Sequence, residues 1–483
     1  MSYNSLTLTP FRLEGDYITN TLNNIRTRPV SWTAFVKANY LNENNSETLK
    51  TLTNMNNQDD PKTRGNAIGQ HTDIYSKVLV SSIESLVNNN NNSNDYDLIK
   101  IILTIIYDGI GYIKTDDFTK TLTYEIFQLN NTTAYDPFVK LLNSNKNLNN
   151  DDNIIISILS AYIITSFLTT TTTLHIDNST NDKTNLILDY VQKNLITSND
   201  TQFQFIGLQI LKEILSIKKF RNLYIKQNLN DSNIELLSLT KILLNKSIEL
   251  QMKYLTIYCL WTLTFDLKIT SLIINDSKFS EIIPCLFNYA NDAVKEKVVR
   301  LSISILINIL NNSSNNLLVI KKYLLSNGLT IIKNLIDRKW SDNDLKEDLN
   351  NIFEILNDSI KSLTTFDEYE NEVRTKHLIW SPCHKNQEFW FDNIDKFKEN
   401  NWKLVKSIIN LLNDDSVSDN QLYLNQSIIC YDLSMLIKVS PEIIKVISNL
   451  GTKTKIMTLM NSPNANVKFE ALRTTQLLVA NIF

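Results

Sequence analysis

Four long apolar-periodic segments recur along the chain at nearly constant spacing, and this constrains the fold more than any single motif. They are Ile154 to Leu168, Phe203 to Ile217, Gln251 to Phe265 and Lys295 to Leu310. Their starts lie roughly 49, 48 and 44 residues apart, close to the period of armadillo and HEAT repeats. A shorter apolar stretch lies between successive long ones, such as Ile234 to Leu244 or Phe279 to Ala290. A two- or three-helix unit is therefore repeated, each copy burying a face that it cannot cover alone. The long segments are apolar around most of their circumference, as expected of helices sandwiched between neighbouring units.

Composition agrees. With Gly 8 and Pro 8 in 483 residues, the chain lacks the turn-formers that a many-stranded β protein needs at every hairpin. Asparagine is over-represented instead, in runs such as Asn88 to Asn92, and Thr169 to Thr173 forms a second biased tract; both read as loop. The net charge of -3 and the lack of a Lys/Arg block argue against nucleic acid as a partner. Met1 to Pro10 has neither the cationic start nor the apolar core of a signal peptide. The best apolar run, Ile154 to Leu168, is interrupted by Ser157, Ser160 and Ser166, so no membrane span is expected. The expectation is a cytosolic chain without direct membrane insertion.

Helix boundaries are legible. Asp136-Pro137 can start a helix, Ser341-Asp342 can cap one, Ser440-Pro441 sets Pro in a first turn, and Gly328 and Gly451 fall where helices should break. In the fourth long segment Glu296, Arg300, Ser304 and Asn308 are four apart and form one stripe, either a solvated face or part of a ligand groove. The clear repeats end before Ser362-Leu363-Thr364-Thr365, where a domain boundary is placed. Beyond it, Asn386 to Glu399, Trp402 to Leu412, Leu422 to Lys438 and Val467 to Ala480 read as further helices. The fold class is all-α, an armadillo/HEAT-like α-solenoid, with an N-terminal repeat domain over 1–362 and a smaller helical repeat domain over 363–483.

Catalytic signatures do not emerge. Gly109-Ile110-Gly111 lacks the third glycine and the Lys-Ser/Thr of a phosphate loop, and there is no HExxH, GxSxG or zinc-type cysteine pairing. Cys259, Cys285, Cys383 and Cys430 are far apart and read as buried thiols. Cys383-His384 is the one pair resembling a nucleophile, but neighbours in sequence rarely face each other and no third orienting group is identifiable. Metal ligation by His377, Cys383 and His384 ranks equally low. The acidic cluster Asp342, Asp344, Glu347 and Asp348 fits a helix N-terminus, favoured by the helix dipole. The chain reads as a non-enzyme that needs no cofactor and offers an extended surface to other proteins.

One stretch goes further. Phe366 to Trp402 reads FDEYENEVRTKHLIWSPCHKNQEFWFDNIDKFKENNW, and its Phe366, Asp367, Glu368, Tyr369, Trp380, Ser381, Pro382, His384, Phe389, Trp390, Asn393 and Phe397 carry a resemblance to the H subunit family of eukaryotic V-type proton-pumping ATPases. Three further segments agree in order: Ile25-Arg26-x-Arg28 with Val30-x-Trp32, Tyr254 to Phe265 ending in Trp-Thr-Leu-Thr-Phe, and Val467 to Arg473. The resemblance runs from about Ile25 to the C-terminus and is weakest between about 40 and 150.

What the resemblance implies is two armadillo/HEAT-like domains joined by a short hinge, here Ser362, Leu363, Thr364 and Thr365. It further implies a non-catalytic regulatory component of the peripheral sector, needed for coupled ATP hydrolysis and proton transport in the assembled pump. That component inhibits hydrolysis by the detached sector. The implied partners are the E and G subunits of the peripheral stalk and the cytosolic N-terminal part of the pump's a-type subunit. In the detached state the catalytic hexamer and the central rotor join them. The implied location is cytoplasmic, peripheral on the cytosolic face of the vacuole or another endomembrane.

Arg26, Arg28 and Trp32 are candidate partner-binding residues, because Arg and Trp are favoured anchors; equally, Trp32 can pack in the first repeat with the arginines solvated. His384 and Asn393 are candidates as well, against a role in capping the turn after Ser381-Pro382. Trp380, Phe389 and Trp390 read as core. The alternative to the pump component is an armadillo-type peptide-binding adaptor or scaffold. Such grooves tend to carry a ladder of Trp and Asn, and Trp261 has no Trp counterpart on neighbouring inner helices.

Overall fold

A computed structural model describes residues 11–54, 61–88, 96–112, 122, 135–144, 151–170, 179–230, 234–313, 316–363, 365–413 and 418–480. Among them every regular element is a helix. The fold is all-α, of the armadillo/HEAT-like solenoid kind, and its contacts divide it into two compact units, Met1–Phe265 and Asp266–Phe483.

In the first unit the apolar segments become inner helices. Helix Tyr96–Tyr112 packs on Asp151–Thr170, which packs on Thr201–Ser216, which packs on Leu250–Leu263. Helix Asp151–Thr170 is apolar on all sides because it is covered on all sides: Ile156, Ile158, Leu159, Tyr162, Ile163 and Phe167 are all fully buried. Each such side chain is worth about 1.5–3 kcal/mol of transfer free energy. The polar residues that interrupt the run are accommodated within the helix. Thr165 Oγ1 donates to Ala161 O at 2.8 Å and Ser166 Oγ to Tyr162 O at 2.9 Å. By length and composition alone this helix is long and apolar enough to cross a membrane, contrary to the reading of its interrupted run. Its apolar window is 78% buried inside the fold, which is how a core helix meets the same criterion.

In the second unit Glu296–Asn311 packs on Asn343–Leu363, and farther along Gln387–Asn410 packs on Asp419–Val439, which packs on Ala465–Ala480. The expected break near residue 400 is present as a kink: Glu399 to Trp402 leave helical geometry, with φ of 49° at Asn400, 57° at Asn401 and 61° at Trp402. Asparagine tolerates this left-handed region better than other non-glycine residues. Gly451, at φ 66°, ends one helix and begins the next. At the other expected break the left-handed residue is Asn327, not Gly328. Gly328 is needed for space, since a Cβ there would sit 2.7 Å from Tyr323 O and 2.8 Å from Phe287 Cζ.

Charged residues fasten successive helices. Lys100 bridges Asp97 at 2.8 Å and Asp152 of the next inner helix at 2.6 Å. In the stripe Glu296, Arg300, Ser304, Asn308, the first two residues have the same use. Glu296 accepts from Ser341 N at 3.0 Å, Ser341 Oγ at 2.8 Å and Asp342 N at 2.8 Å, while Arg300 pairs with Asp342 at 3.1 Å and Asp348 at 2.5 Å. Asp342 meanwhile caps its own helix by accepting from Leu345 N at 3.1 Å. Three carboxylates of the acidic cluster, Asp342, Asp348 and, at 3.5 Å, Asp344, are thus partners for a neighbouring arginine as well as helix-dipole charges. The asparagine run from Asn89 onward and the threonines from Thr171 onward lie outside the described residues.

Candidate functional site

The Phe366 to Trp402 stretch builds a compact polar and aromatic centre in the second unit. Thr365 caps helix Phe366–Thr375, its Oγ1 accepting from Glu368 N at 3.3 Å. The helical period places Tyr369, Glu372 and Val373 on the buried face. The helix ends at Lys376, φ 61°, and the following segment is held by helix Asp419–Val439. Asn425 Oδ1 accepts from Leu378 N at 3.2 Å, Asn425 Nδ2 donates to Lys376 O at 2.9 Å, and Gln421 Nε2 donates to Leu378 O at 2.9 Å. Ser381-Pro382 then opens the short helix Pro382–Lys385, which carries His384.

His384 has no exposed surface. Its Nδ1 lies 2.8 and 2.9 Å from the two oxygens of Asp432 and its Nε2 lies 3.2 Å from Glu372 Oε2. Tyr369 donates its hydroxyl to Asp432 Oδ2 at 2.8 Å, and Trp390 Nε1 donates to His384 O at 3.1 Å. Burial alone would pull the imidazole down, but Asp432 and Glu372 outweigh it and push it up to about 9. That direction favours a charged ring at neutral pH, although burial also raises Asp432 against the lowering by His384 and Tyr369. Burial also raises Glu372, but hydrogen bonding and charge from His384 outweigh that and hold it below its ordinary value. Around the cluster Tyr369, Phe389, Trp390 and Phe397 form the core, with Trp390 stacked on Phe397 at 5.4 Å. Trp380 stands half-buried beside Tyr431 at 5.3 Å.

Cys383 and His384 face different partners. The Cys383 thiol reaches Thr365 O at 3.7 Å and burial pushes it up to about 12, whereas His384 is occupied at both nitrogens. Among the described residues no group of three or more His, Cys, Asp and Glu is arranged to hold a metal ion. Asn393 Nδ2 donates to Phe389 O, one turn back, at 2.9 Å. The large apolar side chains this stretch leaves exposed are Ile379 at 49% and Phe391 at 61%, which periodicity alone did not single out. Of the four hinge candidates, Ser362 and Leu363 end helix Asn343–Leu363, Thr365 caps the next helix, and Thr364 lies outside the described residues.

In the first unit the three N-terminal candidates meet different surroundings. Arg26 pairs with Asp108 of helix Tyr96–Tyr112 at 2.5 Å, with side-chain exposures of 9% and 0%. Arg28 pairs with Asp97 of the same helix at 2.7 Å and is 60% exposed. Trp32 is 8% exposed and stands edge-on to Phe35 at 6.3 Å. Arg26 and Arg28 thus share one helix as their counterface, while His384 and Asn393 belong to the other unit.

A feature that sequence reading missed lies just upstream. Residues Phe11 to Gly15 run without helix across the inner helices, held through their main chain. Tyr162 donates to Phe11 O at 2.6 Å, Tyr107 Oη accepts from Leu13 N and donates to Leu13 O at 3.1 Å each, and Gln209 accepts from Glu14 N at 2.7 Å and donates to Glu14 O at 2.9 Å. Gln202 Oε1 accepts from Tyr17 N at 3.0 Å. The second glycine of Gly109-Ile110-Gly111 on helix Tyr96–Tyr112 has its use here, because a Cβ at Gly111 would lie 2.8 Å from Arg12 Cγ.

Two family models, both described as the H subunit of the V-ATPase, match residues 16–356 and 362–483. The chain is 25% identical over 462 residues to the V-type proton ATPase H subunit of Drosophila melanogaster, covering 95% of this chain and 88% of the relative. It is 28% identical over 429 residues to the H subunit of Dictyostelium discoideum, covering 85% and 86%. Among solved structures, an engineered protein aligns with TM-score 0.41 and 14% identity over 96% of this chain and 94% of its own. A designed armadillo repeat protein aligns with TM-score 0.27 and 15% identity over 60% and 99%.

Proposed function

The chain belongs to the V-ATPase H subunit family, and from that premise we propose that it acts as a non-catalytic regulatory component of the pump's peripheral sector. In this role it is required for coupled ATP hydrolysis and proton transport in the assembled complex and silences hydrolysis by the detached sector. The observation that carries the reading is that two models of one pump component, in order, account for nearly the whole chain. The chemistry is consistent with it: the one nucleophile-like pair has a thiol raised by burial and an imidazole locked between carboxylates.

The proposed division of labour follows the boundary between the two matched segments. Residues 1–362 hold the E and G subunits of the peripheral stalk, with Arg28 as the exposed cation on that surface. Residues 363–483 contact the cytosolic N-terminal part of the a-type subunit in the intact pump. After detachment they contact the catalytic hexamer and the central rotor. Exposed Phe391 and Ile379, beside the buried His384 and the internally bonded Asn393, supply apolar surface for those contacts. The residues from Ser362 to Thr365 serve as the hinge. The protein works at the cytosolic face of the vacuole or another endomembrane, without inserting.

The test adds the purified chain to vacuolar membranes lacking their own H subunit and records inhibitor-sensitive ATP hydrolysis and acidification together. Recovery of both is expected. Binding to the membranes with recovery of neither would overturn the regulatory role and leave a scaffold. Crosslinks reporting one fixed angle between the two segments in both assembled and detached states would remove the hinge.

A further inference from the structure

Helix Ala465–Ala480 leaves an apolar face where its wettest side should be. Val467, Ala471, Thr474 and Leu478 form its buried face, against helices Asp419–Val439 and Thr452–Leu459. Thr474 Oγ1 donates to Cys430 O at 2.6 Å, which fixes the rotation of the helix about its axis. At about 100° per residue, the opposite face holds Ala465, Phe469, Leu472, Gln476, Val479 and Ala480, all exposed. Phe469 is 64% exposed, Leu472 44% and Val479 43%. That face carries no charge, whereas a helix on the outside of a repeat stack ordinarily turns a polar side to water.

Spacing identifies what fits there. Phe469, Leu472, Gln476 and Val479 follow one another at intervals of 3, 4 and 3 residues, the a/d register of a coiled-coil seam. A strand presents side chains at every second residue and cannot follow this stripe, whereas a second helix can. The seam runs for about 15 Å, roughly three turns, so it receives one short helix and the contact is weak on its own.

Charge identifies the flanks of that helix. Lys468 borders the seam on one side and Arg473 on the other, with the Arg473 guanidinium 5.0 Å from the Tyr431 ring and 3.6 Å from Glu470. Lys453 and Lys455 stand on the preceding helix. Between Ile443 and Ala480 there are five cations and one carboxylate, in a chain whose net charge is -3. A second copy of this helix would set cation against cation in either orientation, while acidic flanks would be attracted.

We propose that the outer face of helix Ala465–Ala480 docks an amphipathic helix of another polypeptide, apolar at its a and d positions and acidic at the flanking e and g positions. The inference does not depend on the pump-component reading.

The test uses the full chain and a fluorescein-labelled three-heptad peptide with leucine at a and d and glutamate at e and g, whose own like charges oppose self-pairing. Binding with Kd of about 10–100 µM is expected. A double variant, Phe469→Ser with Leu472→Ser, weakens it roughly tenfold while the melting curve stays in place, because both side chains are exposed. A peptide with lysine at e and g binds roughly tenfold more weakly than the acidic one, and Lys468→Glu narrows that difference. Absence of binding, equal binding of the two peptides, or binding that survives the double variant overturns the proposal. If the chain instead sediments with phosphatidylserine vesicles and the double variant does not, the face meets a lipid surface and the helix partner is excluded. If the unaltered chain forms a dimer that the double variant abolishes, the occupant is a second copy and the proposal falls.

Should the double variant melt early, photo-crosslinking on the unaltered chain decides. A benzophenone at a d position of the acidic peptide is expected to label residues 468–479, and labelling confined to other helices overturns the proposal.

Discussion

The imidazole of His384 and the carboxylate of Asp432 meet at 2.8 Å with no solvent exposure on either side chain, although 48 residues separate them. Tyr369 and Glu372 close the cluster from a third helix, so one charged network ties helices Phe366–Thr375, Pro382–Lys385 and Asp419–Val439 together. Removing the imidazolium leaves two carboxylates uncompensated in a low-dielectric interior. His384→Gln is therefore expected to cost about 3–5 kcal/mol in urea unfolding at neutral pH.

The pH dependence of that cost has a definite sign. His384 is raised from its ordinary 6.5 to about 9 in the folded chain, so its stabilisation is fully present below 6.5 and is lost as pH climbs through 9. Glu372, held below its ordinary 4.5, contributes above that value and loses its contribution as pH falls below it. The difference in melting temperature between the parent and His384→Gln should accordingly shrink between pH 6.5 and about 9. A constant difference across that range would show that the ring is not charged in the folded chain.

Two arginines two residues apart should behave differently. Arg26 meets an Asp108 with no exposed side-chain surface, and truncating it strands a buried charge, at a cost of about 3 kcal/mol. Arg28 pairs at the surface, where Arg28→Ala should change unfolding by less than about 1 kcal/mol. If Arg28 is a contact to the stalk, the same substitution weakens stalk binding in a pull-down while leaving the melting curve in place.

The kink in helix Gln387–Asn410 stores strain at consecutive left-handed residues. Asn401→Gly, which relieves the Cβ penalty at φ 57°, should be neutral or stabilise by up to about 1 kcal/mol. Asn401→Val should destabilise by about 1–2 kcal/mol. Paired thermal melts distinguish the two, and equal effects would mean that the kink relaxes on substitution.

Gly328 is a steric requirement. Gly328→Ala drives a methyl group into Tyr323 O and the Phe287 ring, and about 1–3 kcal/mol of destabilisation is expected in urea titration.

The proposed hinge is spanned by a part-buried ion pair, Lys321 Nζ to Glu368 Oε1 at 2.8 Å. Lys321→Ala should shift global stability by less than about 1 kcal/mol yet speed limited proteolysis between Ser362 and Thr365. Unchanged cleavage there would mean that the pair does not restrain the hinge.

Much of the architecture was legible in the chain because helix packing is written in local periodicity. The segment Phe203 to Ile217 is apolar at the positions that a sandwiched helix must bury, and the structure closes it as Thr201–Ser216, with Asp200 accepting from Gln202 N at its start. The break between Asn386 to Glu399 and Trp402 to Leu412 was legible too, and the structure places a left-handed run there, at Asn400, Asn401 and Trp402. The aromatic density around Trp390 likewise marked a core.

What sequence alone could not decide was which polar residues are paired across distant parts of the chain. His384 and Asn393 were candidates for partner contact because a polar residue in a motif looks the same whether its partner lies within the fold or outside it. Asp432, 48 residues away, is visible only once the helices are packed, whereas the bond from Asn393 to Phe389 O is local to one helix turn and competes with the partner reading on equal terms in the sequence. The same holds for Tyr107, Tyr162 and Gln209, which stand on separate helices and bear no common pattern until those helices align and the main chain of residues 11–14 runs across them. Periodicity determined the helices and their order, since hydrophobic burial acts on neighbours along the chain. Only tertiary structure decided the hydrogen-bond partners, because a donor and an acceptor must meet within about 3 Å, and no local rule brings residues 48 or 195 apart to that distance.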